Sequence, residues 1–166
     1  QQILIASASS KTAIGLGFAL KQRADRPETF GLTSAANVDA LTAQGIYDRV
    51  VSYDQIMTLN AATPAALVDM AGNGAVTRSV HSHFGGQLQA SIVVGKSHWD
   101  AQADVEGLPG PERQGFFAPG RSQKRIADWG PQVFGQKIAE AWLGFMDVAP
   151  QIAQIDNRSG GDAALA

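Results

Sequence analysis

The sequence contains no cysteine. That excludes disulfides, thiolate zinc sites and a cysteine nucleophile together. It also fits a reducing compartment, and a cytoplasmic setting is expected. Charge of one sign is not in excess: 13 Lys and Arg stand against 15 Asp and Glu, for a net charge of −2. With no basic stripe and no run of like charges, nothing draws the chain to nucleic acid or to an anionic membrane surface. No apolar run approaches the ~20 residues that span a bilayer. The start lacks the basic region and cleavage site of a signal peptide. There is no internal repeat and no low-complexity segment.

What is present is enough apolar material for one domain. Of 166 residues, 45% are hydrophobic and 17% charged, so a real core can be buried. Gln1 and Gln2 lead straight into an apolar run at Ile3. A chain rarely starts inside its first core strand, so a domain taken from a longer protein is expected.

Strand and helix signals alternate. Residues 3–8 read as a buried parallel strand, and residues 11–23 as a helix with a basic last turn. Strands are expected at 29–33, 49–52, 65–70 and 88–95, with a short sixth at 115–118. Ser34 is placed to cap a helix over 35–44 that Gly45 stops. A helix over 74–84 ends at Gly85 and Gly86. Two more, 121–129 and 132–147, are divided by Gly130 and Pro131. Residues 151–166 are small and polar and read as a loose tail. The pattern predicts an α/β fold: a Rossmann-like, doubly wound, mostly parallel six-stranded sheet with helices on both faces, filling residues 1–150. The strand order 3-2-1-4-5-6 would make it a dinucleotide-binding domain, and a flavodoxin-like order is the competitor.

The first strand–helix turn, Ser7-Ala8-Ser9-Ser10-Lys11-Thr12, is glycine-free. Such a turn lies under the pyrophosphate of a dinucleotide, where helix N–H groups and the helix dipole favour an anion. Against the pattern GxGxxG, Ala8, Ser10 and Ala13 occupy the three glycine positions. Serine can donate a hydroxyl to phosphate, and Lys11 adds a charge. The plain alternative is a strand–helix connection rich in small residues. A phosphate-binding GxxxxGK[ST] loop fits poorly, because Lys11-Thr12 lacks the upstream glycines and the long loop.

An NAD site usually carries Asp or Glu after the second strand, bound to the ribose 2′-OH. Here Thr33, Ser34 and Asn37 stand in that stretch and no carboxylate does. Hydroxyls and amides tolerate a 2′-phosphate, so NADP(H) is favoured over NAD(H). Other groups carry weaker signals. His81 and His83 lie two apart on a helix, point to different faces and are poor joint metal ligands; both read as surface or helix-end residues. Residues 97–100, Ser-His-Trp-Asp, follow strand five, where His98 and Asp100 can relay a proton or Trp99 can simply anchor a loop. Asp69 either floors a site or holds nearby backbone. Phe116 and Phe117 are expected in strand six, in the core or at a dimer edge, with a nicotinamide-side contact as the minor alternative. No nucleophile elbow supports a serine hydrolase.

Seven blocks carry a family resemblance: ASASSKTAIGLGFAL, FGLTSAANVDAL, YDRVVSYDQI, LVDMAGNGAV, VVGKSHWDA, LPGPERQGFFAPGR and DWGPQVFGQKIAEAW. In this order, over residues 1–148, they resemble the nucleotide-binding half of medium-chain dehydrogenases/reductases of the quinone-oxidoreductase type. More narrowly, they resemble a branch of unknown function. The resemblance implies a cofactor touched by Ser7, Ala8, Ser9, Ser10, Lys11 and Thr12 at the pyrophosphate, and by Thr33, Ser34 and Asn37 at the adenosine ribose. It further implies Tyr53 beside the adenine ribose, Ala71, Gly72 and Asn73 near the nicotinamide ribose, and Val94 and Gly95 at the nicotinamide. Such proteins carry an N-terminal GroES-like domain that builds much of the substrate site and that these residues lack. The branch would be zinc-free. The function expected is an NADP(H)-dependent oxidoreductase passing hydride to or from a carbonyl, enone or quinone-like small molecule, with no metal, no assignable proton donor and a homodimer as a possible assembly. The alternatives are a non-catalytic nucleotide-binding or structural Rossmann module, and a hydrolase on the same sheet.

Overall fold

The computed structural model describes residues 1–95 and 105–152. Six strands form one all-parallel sheet in the order β3-β2-β1-β4-β5-β6. They are β1 (Gln2–Ala6), β2 (Glu28–Thr33), β3 (Arg49–Ser52), β4 (Ala65–Asp69), β5 (Leu88–Val93) and β6 (Arg113–Gly115). This is the doubly wound order expected from the sequence, and it excludes the flavodoxin-like one. The order reverses between β1 and β4, which pair in register from Gln2 against Ala65 to Ala6 against Asp69. Their C-terminal ends therefore lie side by side at the switch point.

The sheet is central because its strands are apolar on both faces. Leu4, Leu32 and Leu67 are completely buried, in one cluster with Val76, Val80 and Phe84 of α3 (Gly74–Phe84). Each large side chain in that cluster contributes about 1.5–3 kcal/mol by leaving water. The opposite face takes α1 (Lys11–Lys21), which buries Ala13, Ile14 and Gly17.

Most element ends fall within two residues of expectation, but the helix expected from residue 121 starts at Ala118, and the helix expected to end at 147 runs on to Ile152, into the stretch read as a loose tail. Other differences are local. The helix after β2 begins as a 3-10 turn, Ala35–Asn37, before α2 (Val38–Gln44). Ser34 occupies the cap position but makes no side-chain capping bond; its hydroxyl accepts instead from the Asn37 side-chain amide at 3.1 Å. Gly45 ends α2 at φ 61°, as a left-handed cap requires. Strand six starts earlier than its apolar residues suggest: Arg113–Gly115 pair with Ser91–Val93, leaving Phe116 and Phe117 beyond it at 40% and 70% exposure. These two are neither strand nor core.

The chain divides into two compact units, Gln1–Arg125 and Ile126–Ala166. Helix α4 (Ala118–Trp129) runs across that boundary, and α5 (Pro131–Ile152) follows Gly130, which sits at φ 80°. Within the second unit the Lys137 ammonium lies 5.3 Å from the Trp129 ring centre. No described helix is long and apolar enough to cross a membrane.

Candidate functional site

The site is built where β1 and β4 end. After Ala6 the chain turns sharply at Ser7, whose φ of 57° is the only positive value at a non-glycine residue among those described. The Ala8 amide donates to the Leu32 carbonyl at 3.0 Å, and the Ser10 amide returns to the Ser7 carbonyl at 2.9 Å. Ser10 then caps α1: its hydroxyl oxygen accepts from the Ala13 amide at 3.3 Å. The hydroxyl proton stays available to a ligand.

The three glycine positions are filled by side chains that do not crowd the turn equally. Ala8 and Ala13 are completely buried, so their methyl groups face the protein. Ser10 is half-buried, while Ser9, Lys11 and Thr12 are exposed. Among the described residues, the backbone amides of Ser9, Lys11 and Thr12 have no partner. Lys11 is the first residue of α1, has no ion pair among the described residues, and the first turn carries no acid. A cation at a helix N-terminus is repelled by the dipole. The combination is one that a bound anion would relieve.

Beside this turn, the Asn37 side-chain amide reaches both Ser34 and, at 3.5 Å, the Ser9 hydroxyl. Ser9, Ser34 and Asn37 thus form one small polar group across the ends of β1 and β2, free of carboxylates. Thr33 is buried and stands outside that group. Tyr53 opens a 3-10 segment and packs against the core cluster.

On the β4 side, Asp69 is 1% exposed and organises the loop that follows. One carboxylate oxygen accepts from the Ala71 and Gly72 amides at 3.1 and 2.9 Å. The other accepts from the Thr77 hydroxyl at 3.1 Å and lies 3.7 Å from the Arg113 guanidinium. Asn73 caps α3 by accepting from the Val76 amide. The Val94 amide bonds to the Asp69 carbonyl at 2.8 Å. At Gly95 a Cβ would fall 2.2 Å from the Met70 carbonyl oxygen, so only glycine allows that approach. Residues 71–73 and 94–95 therefore line the β4–β5 end of the same rim that carries Ser7–Thr12.

His81 lies in the last turn of α3, one of the two places expected for it, but it is not at the surface. It is 1% exposed, and its Nδ1 and Nε2 each lie 2.9 Å from a partner, the Pro109 carbonyl and the Ser91 hydroxyl. Its i,i+4 neighbour on the buried face of α3 is Thr77, a spacing that periodicity alone can reveal. His83 is half-buried and bonds to the Leu59 carbonyl, so the two imidazoles serve different sides of the helix. Residues 97–100 lie outside the described residues.

Sequence reasoning passed over Tyr47. It is 6% exposed and donates its hydroxyl to the Ala8 carbonyl at 2.9 Å. Burial pushes its phenol well above the ordinary tyrosine range. A basin lined by Lys21, Arg23, Arg26, Glu28 and Asp48 lies at the opposite rim, around the start of β2. Within it Arg26 pairs with Asp48, while Arg23 pairs with Asp25 and Lys21 donates to the Gly45 carbonyl. The Arg26 guanidinium holds the Asp48 carboxyl well below the usual carboxylate range.

The model of the family described as "Protein of unknown function (DUF2855)" matches residues 1–166, and the chain belongs to that family. Neither a curated protein nor a solved structure matches it.

Proposed function

We propose that this member of the family binds NADP(H) at the β1–β4 switch point and serves as the nucleotide-binding part of a zinc-independent oxidoreductase. The observation that carries the reading is the start of α1: an exposed, unpaired lysine and unpartnered amides at Ser9, Lys11 and Thr12, at the crevice where doubly wound sheets bind ligands. The pyrophosphate would rest on those amides, with Lys11 and the Ser10 hydroxyl as further donors. Ser9, Ser34 and Asn37 would meet the adenosine ribose. A carboxylate there would repel a 2′-phosphate, and none is present in that group. Ala71, Gly72, Asn73, Val94 and Gly95 would line the nicotinamide side. When bound, the cofactor would supply the chemistry of hydride transfer to or from a carbonyl, enone or quinone-like substrate.

These residues bind and orient; none is assigned a proton. Asp69 is already engaged by two amides, a hydroxyl and a guanidinium. That full engagement also favours a second reading, a nucleotide-binding module without chemistry of its own. Calorimetric titration with NADPH, NADH and ATP tests both. Saturable NADPH binding at least tenfold tighter than NADH is expected. Binding of ATP alone would support the module, and binding of none would refute the dinucleotide reading.

A further inference from the structure

We propose that Tyr47 is the positioning residue of the phosphate turn, an inference that rests on the dinucleotide reading above: its phenol pins the Ala8 carbonyl inward and so aims the Ser9 amide outward. The hydroxyl of Tyr47 donates to the Ala8 oxygen at 2.9 Å in a buried contact. The peptide that follows is trans, as every described peptide is. In a planar trans peptide the carbonyl and the next N–H point in opposite directions. Fixing the Ala8 oxygen toward Tyr47 therefore turns the Ser9 N–H away from the protein, to the side where Ser9 is exposed.

The tyrosine is itself held rigidly. Its ring is wedged between α1 and β2 at two glycines. A Cβ at Gly17 would come 2.8 Å from the ring, and one at Gly31 would come 2.7 Å from it. Ile46 fills the same gap, 2.7 Å from the Gly17 position. A ring bounded by Gly17 along one edge and Gly31 along the other has little room to swing its hydroxyl elsewhere. Burial also keeps the phenol protonated, so it remains a donor. This supplies a reason for tyrosine in a loop between α2 and β3. The turn lacks the glycines that would let its backbone settle freely, and a side chain from outside sets the peptide plane instead.

The test is Tyr47→Phe in the full chain, which keeps the wedge and removes only the hydroxyl. Two readouts separate this inference from the dinucleotide reading. The first is backbone NMR without ligand: the residual dipolar coupling and exchange rate of the Ser9 amide. The second is titration with NADPH, inorganic pyrophosphate and adenosine. The expected result is a Ser9 coupling averaged toward zero and exchange at least tenfold faster, with the central strands unchanged. NADPH and pyrophosphate affinities should fall about tenfold, and that of adenosine should hold. An unchanged Ser9 coupling overturns the proposal whatever the binding data show. An altered amide with unchanged NADPH and pyrophosphate affinity overturns the positioning role. A wild-type chain that binds neither NADPH nor pyrophosphate overturns the dinucleotide reading, and the Ser9 coupling alone then decides whether Tyr47 sets the turn. Should the variant not fold, the Tyr47 hydroxyl proton of the wild type decides. Slow exchange and a cross-peak to Ala8 or Ser9 support the inference; rapid exchange overturns it.

Discussion

Reversing the charge at Lys11 should make the protein more stable and worse at binding. Lys11 is exposed, opens α1, and has no ion pair among the described residues, in a first turn that holds no acid. Its positive charge faces the positive end of the dipole, at a cost of about 0.3–1 kcal/mol, and a carboxylate there would gain a similar amount. Lys11→Glu should therefore raise stability by about 1 kcal/mol, roughly 2–4 °C in Tm for a chain of this size. The same change removes a charge-assisted phosphate contact worth about 1.5–3 kcal/mol and adds repulsion. NADPH affinity should fall at least thirtyfold. Lys11→Gln should sit between, with half the gain in Tm and a smaller loss of affinity. Differential scanning calorimetry and isothermal titration read the two effects separately. A lysine that serves the fold would behave oppositely: a lower Tm in Lys11→Glu, or an affinity unchanged within threefold, would refute the reasoning.

Four further substitutions or titrations probe the frame of the site and the fold. Asp69→Ala strands two amides, a hydroxyl and a guanidinium in a buried place, so a loss of about 3–5 kcal/mol is expected; a urea midpoint lowered by less than ~0.5 M would contradict it. Gly95→Ala puts a methyl 2.2 Å from the Met70 oxygen. It should break the Val94–Asp69 bond and cost about 2–4 kcal/mol, read by urea unfolding and by loss of protection at the Val94 amide. Tyr47 ties stability to alkaline pH: its folded phenol titrates above the unfolded value of about 10, so its contribution is intact below that pH and lost as pH rises past it. Wild type should lose midpoint between pH 10 and 11.5 more steeply than Tyr47→Phe, and parallel curves would refute this. Asp48 runs the other way: its carboxyl is depressed, chiefly by Arg26, so its contribution is present above about pH 4 and fades as pH falls below it. Asp48→Asn should flatten the acid limb of a Tm-versus-pH curve.

The sheet was legible because parallel strands buried on both faces read as short apolar runs, and the turn residues between them punctuate clearly. The spans of β3 and α3 agree to the residue, since Ser52 and Gly74 mark abrupt changes of period. Strand six was misplaced because Phe116 and Phe117 look more strand-like than Arg113 and Gln114, yet pairing with β5 chose the polar residues. Arg113 is tolerated there because Asp69, one strand further in, offers its carboxylate across β5. Nothing local encodes that partnership. The partners of His81 are equally non-local, although its i,i+4 spacing from Thr77 marks the buried face. A histidine in the last turn of an amphipathic helix reads as exposed until Ser91 and the Pro109 carbonyl are brought to it from residues 10 and 28 positions away. Tyr47 sits in a loop with no periodicity, and only the two glycines it fills hint at its place.

If the proposed site holds a diphosphate, the turn makes a glycine pattern an incomplete test for one. What a diphosphate needs is not the absence of side chains but amides that face it and β-carbons that do not. Ala8 and Ala13 meet the second requirement by pointing inward, where their methyl groups add to the packing of α1 on the sheet. The positive φ that glycine would absorb falls on Ser7, at a cost of about 1–2 kcal/mol. Ser10 is the one substitution left at the rim, and it is half turned back onto its own helix. The crowding expected of three lost glycines thus reduces to one hydroxyl, a group that can itself donate to phosphate. On the proposed reading, a turn without the usual glycines would need its peptide planes fixed by other means, and the buried bond from Tyr47 to Ala8 is placed to do so.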